Sequence, residues 1–295
     1  MLNHGHADVN GVRLHYVTAG KGRLVMFVHG FPEFWYAYRN QLADFGRDFQ
    51  AVAPDMRGYN LSSKPEEVEQ YQVKHMVEDL RALAETLGHR TFTLVAHDWG
   101  GVIAWAFAIA HPDSLDRLVV INAPHPGVFL RELRDNPEQQ KASQYMLLFR
   151  SPGAEQILSA NGYAALVAAV LAEGLKTGAF TEEDKKAYIE AWSQPGALTG
   201  GLNYYRAARV GPPSGEESGE GPSLARDLPS LMVKVPTLVI WGEKDTALLT
   251  GNLVGLDQFV PDLTVKRIPD GTHWVIHEKP ALINGWIREF IGPNR

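Results

Sequence analysis

Short apolar runs bounded by turn residues recur along the chain, and between them apolar residues recur every three or four positions. The runs are continuous, as in parallel strands that are covered on both faces. They predict strands at residues 24–28, 50–53, 91–96, 118–121, 237–240 and 265–268. The longer periodic stretches predict helices that pack on the sheet, at residues 73–87, 99–109 and 280–291. Residues 6–18 alternate around Asn10-Gly11, a type I′ turn signal, and predict an antiparallel hairpin at the sheet edge.

The middle of the chain has a different pattern. From residue 131 to 209 the periodicity is helical, with almost no strand signal. Because strands and helices alternate before and after it, the two ends are expected to form one α/β sheet. We predict a core of residues 1–130 and 228–295 and a helical cap of residues 131–227, over the strand ends where such sheets bind ligands. Residues 211–224, rich in Gly, Pro, Ser and Glu, are predicted to form a mobile surface loop.

Composition narrows the range of functions. The 295 residues, 45% of them hydrophobic, suffice for one large α/β domain or two smaller ones. A net charge of −6 without a basic block argues against nucleic acid and anionic membranes as partners. The absence of cysteine excludes a thiol nucleophile, disulfides and zinc thiolate sites. Neither a secretory signal nor an apolar run of about 18 residues is found, so a cytoplasmic protein is predicted.

An aspartate occupies a tight turn between a predicted strand and a predicted helix, in His97-Asp98-Trp99-Gly100-Gly101. Small residues two before and two after Asp98 allow a turn that exposes its carboxylate above the sheet. A serine in this place attacks acyl carbon, whereas a carboxylate displaces a leaving group from saturated carbon and forms an ester that water cleaves. Asp98 therefore predicts hydrolysis of a carbon–oxygen or carbon–halogen bond.

Two backbone N–H groups are candidates for an oxyanion hole. In His29-Gly30-Phe31-Pro32 an earlier strand ends in residues that bring a loop backbone close to a ligand. The N–H groups of Phe31 and Trp99 would stabilise the oxyanion formed when water attacks the ester. By itself, the segment of residues 29–32 would indicate only a turn.

A general base and its acid are expected after the nucleophile, in the order acid and then histidine. Asp245 and His273 follow the last two predicted strands, on the same rim of the sheet as Asp98. A histidine suits proton abstraction from water at neutral pH, and the acid would orient its ring. The alternatives left open are Glu243 and Asp270 for the acid and His277 for the base.

Aromatic residues of the predicted cap and of the core are candidates for substrate contacts. Opening an epoxide leaves an alkoxide, which needs an acid, and a phenol with a pKa of about 10 can donate to it. Tyr145 and the pair Tyr204-Tyr205 lie on two predicted cap helices, although each tyrosine would equally fit amphipathic packing. Phe149 and Trp35 are candidate apolar lining residues.

Taken together, these motifs resemble those of the epoxide hydrolases of the α/β-hydrolase fold, over nearly the whole chain. The matching segments are residues 29–32, 55–59, 97–101, 122–126 and 271–274, with Asp245. The resemblance implies an α/β-hydrolase fold and a pair of tyrosines, Tyr145 and Tyr205, that activate the oxirane oxygen. Tyr204 is the second choice for the latter position. The resemblance also implies a cis peptide between Phe31 and Pro32.

Two neighbouring families share the aspartate and the histidine. Haloalkane dehalogenases carry an asparagine directly after the His-Gly pair, where this chain has Phe31. Fluoroacetate dehalogenases carry arginine directly after the nucleophile and again three residues later, where this chain has Trp99 and Val102. These differences from both families, together with the tyrosine pair, favour an epoxide over a halogenated compound as the substrate.

The predicted activity is the hydrolysis of an epoxide to a vicinal diol without a cofactor, with the epoxide and water as partners. Neither a nucleic acid nor a membrane is expected as a partner, and no spacing such as H-E-x-x-H predicts a metal site. A dehalogenase with the same nucleophile, and a non-catalytic small-molecule receptor of the same fold, remain as alternatives. The identity of the epoxide and the oligomeric state, with a homodimer as one option, stay open.

Overall fold

The structure is a computed structural model that describes residues 2–213, 228 and 230–294, so most of the loop predicted at residues 211–224 lies outside the described residues. Its centre is a sheet of eight strands, most of which run parallel. The strands are β1 (Asn3–Val9), β2 (Val12–Ala19), β3 (Leu24–Val28), β4 (Gln50–Pro54), β5 (Phe92–His97), β6 (Leu115–Ile121), β7 (Thr237–Gly242) and β8 (Leu263–Ile268). All six predicted parallel strands and the predicted hairpin are therefore present.

The strand order in the sheet is β1-β2-β4-β3-β5-β6-β7-β8. β1 and β2 pair antiparallel through the Asn10-Gly11 turn, where both residues have a positive φ, as the sequence predicted. β2 is antiparallel to β4, and every later neighbour is parallel. The carboxyl ends of the parallel strands therefore lie along one edge, which is where α/β sheets place their ligands.

Helices cover both faces of the sheet. The helices are α1 (Arg39–Phe45), α2 (Val73–Thr86), α3 (Trp99–Ala110), α4 (Pro126–Asp135), α5 (Pro137–Ala142), α6 (Tyr145–Arg150), α7 (Ala154–Leu166), α8 (Ala172–Thr177), α9 (Glu182–Trp192), α10 (Ala197–Ala208), α11 (Val275–Glu278) and α12 (Pro280–Ile291). Five short 3-10 segments and one π-helical segment complete them, at Trp35–Tyr38, Val68–Tyr71, Pro112–Ser114, Val167–Leu171 (π), Thr250–Leu253 and Leu256–Gln258.

Side chains that alternate along each strand explain this layering. In β3, Leu24, Met26 and Val28 join the apolar cluster that contains α2 and α3, whereas Val25 and Phe27 join the cluster that contains α1 and α12. Successive side chains of a strand point to opposite faces, so a strand covered on both sides is apolar throughout. This confirms the predicted α/β-hydrolase fold class with its mostly parallel sheet.

Within the described residues, seven helices, α4 to α10, lie between β6 and β7, where the sequence predicted a helical cap. We call Pro126–Ala208, which begins with α4 and ends with α10, the helical insertion. α9 contacts the core by polar bonds: the Tyr188 hydroxyl donates to Glu33 (2.8 Å), and the Trp192 indole donates to the Pro32 carbonyl (2.5 Å). α10 packs so closely on the loop after β4 that a Cβ on Gly200 would overlap the backbone of Gly58.

One part of the helical insertion differs from its prediction. Ala154–Thr177 spans 24 residues with a mean hydropathy of 1.4. By length and composition alone this segment could cross a membrane, although the sequence predicted no such segment. Its backbone leaves the helical region at Ala160 and is left-handed at Asn161, Gly162 and Tyr163, so this stretch is not one continuous helix. Leu158 before this kink and Leu166, Val170 and Leu171 after it are buried against the core, whereas Ile157 is exposed.

A buried ion pair joins the loop after β4 to α2. Arg57 and Asp79 are both fully buried, and the guanidinium Nε and Nη2 donate to the two carboxylate oxygens at 2.6 Å each. Asn10 in the β1–β2 turn donates to the same carboxylate (2.9 Å), and Arg57 also donates to the Gln70 carbonyl (2.8 Å). The pair therefore connects three segments that are distant in the chain.

Replacing Asp79 by alanine is expected to lower the free energy of unfolding by about 3–5 kcal/mol, because the Arg57 charge would stay buried without a partner. Urea denaturation followed by circular dichroism measures this loss. Glu85→Ala on the same helix is the matched control, since Glu85 pairs with Arg81 at the surface (2.6 Å) and should cost less than about 1 kcal/mol. Equal losses in the two variants would contradict the assignment of the buried pair.

Candidate active site

Asp98 lies between β5 and α3 in a strained backbone conformation, with φ 52° and ψ −125°. Such a positive φ in a non-glycine residue costs about 1–3 kcal/mol and persists only where packing enforces it. Two glycines allow that packing. A Cβ on Gly30 would overlap the Asp98 carboxylate, and a Cβ on Gly100 would overlap the Val28 carbonyl oxygen. The backbone at Gly30 and at Gly100 therefore comes close enough to hold Asp98 in this conformation. The carboxylate then lies at the carboxyl ends of the strands.

One backbone donor holds the Asp98 carboxylate. The Phe31 N–H, in the loop after β3, donates to Asp98 Oδ1 at 2.7 Å. The Phe31–Pro32 peptide is cis, as the resemblance implied. Trp99 is the first residue of α3, and its indole packs edge-on against Tyr205, with ring centroids 5.1 Å apart. No hydrogen bond from the Trp99 N–H to the carboxylate is present among the described residues, so its role as second donor stays a prediction.

His273 lies between two carboxylates. Its Nδ1 is 2.6 Å from Asp245 Oδ2, and its Nε2 is 3.5 Å from Asp98 Oδ2. Asp245 is buried, and it also accepts hydrogen bonds from Asn122 Nδ2 (2.8 Å) and from two backbone N–H groups of the following loop (2.8 and 2.9 Å). Because Asp245 only accepts, the hydrogen on Nδ1 points at it and Nε2 faces the nucleophile.

The charges of this group are strongly coupled. Burial lowers the pKa of His273, but the charge and hydrogen bond of Asp245, and then those of Asp98, outweigh burial and raise that pKa well above its usual value. Burial raises the pKa of Asp245, but His273, Leu248 and Asn122 outweigh it and bring the pKa below its usual value. Both carboxylates therefore favour the protonated form of His273 in the free protein.

The alternative acids and base lie elsewhere. Glu243 pairs with Arg267, and Asp270 pairs with Lys279 (2.7 Å). His277 Nε2 is 2.6 Å from a different buried carboxylate. The structure thus brings Asp98, Asp245 and His273 together and leaves the three alternatives outside this group.

The carboxylate beside His277 belongs to Glu33, which the sequence analysis missed. Glu33 is buried, and its Oε1 accepts a hydrogen bond from the Tyr188 hydroxyl (2.8 Å). Its Oε2 is 3.3 Å from His97 Nδ1, and His97 Nε2 donates to the His273 carbonyl oxygen (2.8 Å). Burial raises the pKa of Glu33, but the two histidines outweigh it and hold that pKa well below its usual value.

Glu33 thereby links the backbone of His273 to α9 of the helical insertion. A signal was available in the sequence, because Glu33 is the sole charged residue in the aromatic stretch of residues 31–38. A charged residue is almost never fully buried unless it is paired. Pattern reasoning alone does not identify the partners, since they come from three separate parts of the chain.

Tyr145 and Tyr205 of the helical insertion both line the cavity at Asp98. Their ring centroids are 6.3 Å apart. Burial, and then the charge of Asp98, raises the pKa of each phenol well above its usual value. Both hydroxyls therefore keep their protons and can donate.

Of the predicted lining residues, Phe149 lines the cavity and two others do not. The Tyr204 hydroxyl donates to the Arg57 carbonyl (2.9 Å) and points into the core–insertion contact. Trp35 packs between the edge strand and Tyr36, and its backbone N–H donates to Asp55 (3.0 Å). The structure therefore does not bring Tyr204 and Trp35 to the cavity at Asp98, because these contacts hold both side chains elsewhere.

Trp274 is a further lining residue that the sequence analysis did not assign. It follows His273 directly, and its indole Nε1 donates to the Ala169 carbonyl (3.0 Å). Ala169 lies in the π-helical segment, whose altered hydrogen bonding leaves carbonyl groups free for such contacts. This bond joins the core to the helical insertion at the rim of the cavity.

The fold and the site define an α/β hydrolase with an aspartate at the nucleophile position. A family model described as the alpha/beta hydrolase fold matches residues 23–280. Epoxide hydrolase 2 of Caenorhabditis elegans is 36% identical over 98% of this chain and 80% of its own length. AB hydrolase superfamily protein YfhM of Bacillus subtilis is 38% identical over 96% of each chain.

Solved structures agree with these relatives. The crystal structure of Bacillus megaterium epoxide hydrolase in complex with an inhibitor matches with a TM-score of 0.90 and 38% identity, over 97% of this chain and 99% of that chain. The chain belongs to the epoxide hydrolases of the α/β-hydrolase fold family.

Removing either carboxylate charge is expected to lower the pKa of His273, because both raise it, and Asp245→Asn should lower it more than Asp98→Asn. NMR titration of the His273 ring in protein with isotope-labelled histidine measures both shifts. Asp270→Asn is the matched control, because Asp270 pairs with Lys279 at the surface and its loss should leave the titration unchanged. An unchanged pKa in Asp98→Asn would refute the coupling between nucleophile and base.

Proposed function

We propose that this chain hydrolyses an epoxide to a vicinal diol through an ester on Asp98. The observation that carries the proposal is the composition of one cavity: a carboxylate, two protonated phenols and a paired histidine face the same apolar space. A carboxylate alone would serve several leaving groups, whereas two buried acids of high pKa are useful only where a strongly basic oxygen must leave.

In the first step an Asp98 oxygen attacks an oxirane carbon, and the carbon–oxygen bond breaks with its electron pair passing to the ring oxygen. Asp98 Oδ2 is the attacking atom, because Oδ1 is occupied by the Phe31 N–H. Tyr145 and Tyr205 donate to the departing oxygen, which an alkoxide needs far more than a halide does. The product is a hydroxyalkyl ester of Asp98.

In the second step water attacks the ester carbon, and His273 Nε2 accepts its proton. Ester formation removes the charge of Asp98, one of the two that raise the pKa of His273, so the neutral ring that can accept a proton is more populated in the ester than in the free protein. The Phe31 N–H is placed to stabilise the oxyanion on Oδ1, with the Trp99 N–H as the second donor. Collapse of this intermediate releases the diol and restores the carboxylate, and the proton on His273 passes through solvent to the phenol that protonated the epoxide oxygen.

The helical insertion would act as a cap, since Tyr145 and Tyr205 reach the cavity from α6 and α10. The dehalogenase alternative is not favoured, because Phe31 stands where haloalkane dehalogenases carry asparagine, and Trp99 and Val102 stand where fluoroacetate dehalogenases carry arginine. A cytoplasmic location and the oligomeric state stay predictions.

Replacing His273 by glutamine is expected to let the ester accumulate, because alkylation needs Asp98 and its hydrolysis needs the base. Intact-protein mass spectrometry after mixing with styrene oxide should show an increase equal to the mass of the epoxide. His273→Gln combined with Asp98→Asn is the control and should show no adduct. If the single variant stays at its original mass while it still consumes epoxide, covalent catalysis is wrong.

Replacing Tyr145 and Tyr205 together by phenylalanine is expected to slow ester formation by about 10²–10⁴, the usual contribution of general acid catalysis. Rapid quenching followed by mass spectrometry, in the His273→Gln background, measures this step alone. Tyr204→Phe is the matched control, because that hydroxyl is bonded to the Arg57 carbonyl and should leave the rate within a few-fold. A control as slow as the double variant would remove the proposed role of the pair.

A further inference from the structure

The cavity at Asp98 has two lobes of unequal size that share Asp98, Tyr145 and Tyr205. The large lobe has a volume of about 320 Å³ and includes His273 and Trp274 in its wall. The small lobe has a volume of about 30 Å³. The reacting groups therefore lie at the boundary between a wide space and a narrow one.

The two lobes differ in the exposure of their lining residues as well as in size. The large lobe reaches solvent at Ala169 and Thr246, which are exposed at its rim. Most side chains that line the small lobe are buried, among them Phe129, Val210 and Leu248. Among the described residues the large lobe therefore has the more exposed rim, and we expect substrate to enter there.

An epoxide that is positioned to react must lie across the boundary between the two lobes. Its oxygen faces the two phenols and one ring carbon faces Asp98, so substituents on the two ring carbons extend to opposite sides. A cavity needs about 10–15 Å³ for each water-sized group, so the small lobe accepts a hydrogen or a methyl group and not an aromatic ring. The large lobe accepts an extended apolar group, since Phe31, Phe149, Leu166 and Val170 line it.

Resting on the proposed function, we infer that the substrates are epoxides with one large apolar substituent on one ring carbon and at most a methyl group on the other. The small lobe selects them by steric exclusion. The physical basis is that a close-packed interior does not expand to admit a ring without displacing its neighbours. Because its lining is apolar, the small lobe also disfavours a charged or strongly polar group in that place.

The test compares kcat/KM for styrene oxide, trans-β-methylstyrene oxide and trans-stilbene oxide, which carry a hydrogen, a methyl group and a phenyl ring on the second carbon. A single methylene in an apolar pocket changes kcat/KM by about 10–200-fold, so the phenyl compound is expected at least about 100-fold below the other two. Wild-type values for styrene and stilbene oxides within tenfold of each other would overturn the inference and leave the proposed function intact. No turnover of any epoxide would overturn both.

Two leucine-to-alanine substitutions test which lobe excludes the larger substituent. Leu248→Ala enlarges the small lobe, and it is expected to raise the kcat/KM ratio of stilbene oxide to styrene oxide about tenfold. Leu166→Ala is the matched control, because it removes the same atoms from the large lobe and should not raise that ratio. An equal rise in both variants would overturn the inference. Val102→Ala, also in the small lobe, provides the same comparison if Leu248→Ala does not fold.

Discussion

The hydrogen bond from the Phe31 N–H to Asp98, at a turn where Asp98 has a positive φ, is the constraint on which the site depends. It forms because the loop after β3 and the turn after β5 approach each other without a side chain between them, at Gly30. With one carboxylate oxygen held by this bond, the other faces the cavity and His273. The same contact therefore fixes which atom attacks and which atom bears the later negative charge.

Electrostatics then connects the two chemical steps. His273 lies between Asp98 and Asp245, and in a buried site a nearby charge changes a pKa far more than it would in water. In the proposed mechanism Asp245 keeps its charge, whereas Asp98 loses its charge when the ester forms. The proposed first step thus increases the population of neutral His273, the form that the second step needs. Glu33, through His97, holds the backbone carbonyl of His273 in place behind this group.

The core and the helical insertion contribute different properties to the site. The nucleophile, the base and its acid follow strands of the sheet, whose hydrogen bonds fix their separations. The phenols and most of the apolar lining come from helices that rest on the core through a few polar bonds, such as those of Tyr188 and Trp192. The sheet therefore determines the positions of the reacting groups, while the helices above it largely determine the size of each lobe of the cavity.

The sequence alone determined the strands, most of the helices and the positions of Asp98, Asp245 and His273. These features are local, because a strand is recognised by its own periodicity and a residue that follows it must lie at the sheet edge. Tyr145 and Phe149 were also placed correctly at the cavity. The interruption at Asn161–Tyr163 was not predicted, since apolar spacing does not record a left-handed backbone.

The periodicity of the sequence does not distinguish which of two neighbouring tyrosines faces the cavity; the resemblance preferred Tyr205, and the tertiary structure shows what directs it there. Tyr204 and Tyr205 are adjacent on α10 and point about 100° apart, so either could have faced the cavity. The close contact of Gly200 with Gly58 fixes the rotation of this helix, which directs Tyr205 to Asp98 and Tyr204 to the Arg57 carbonyl. The same holds for Glu33, whose burial depends on partners from distant segments. Helix rotation and burial are set by long-range packing, which a pattern along one chain does not contain.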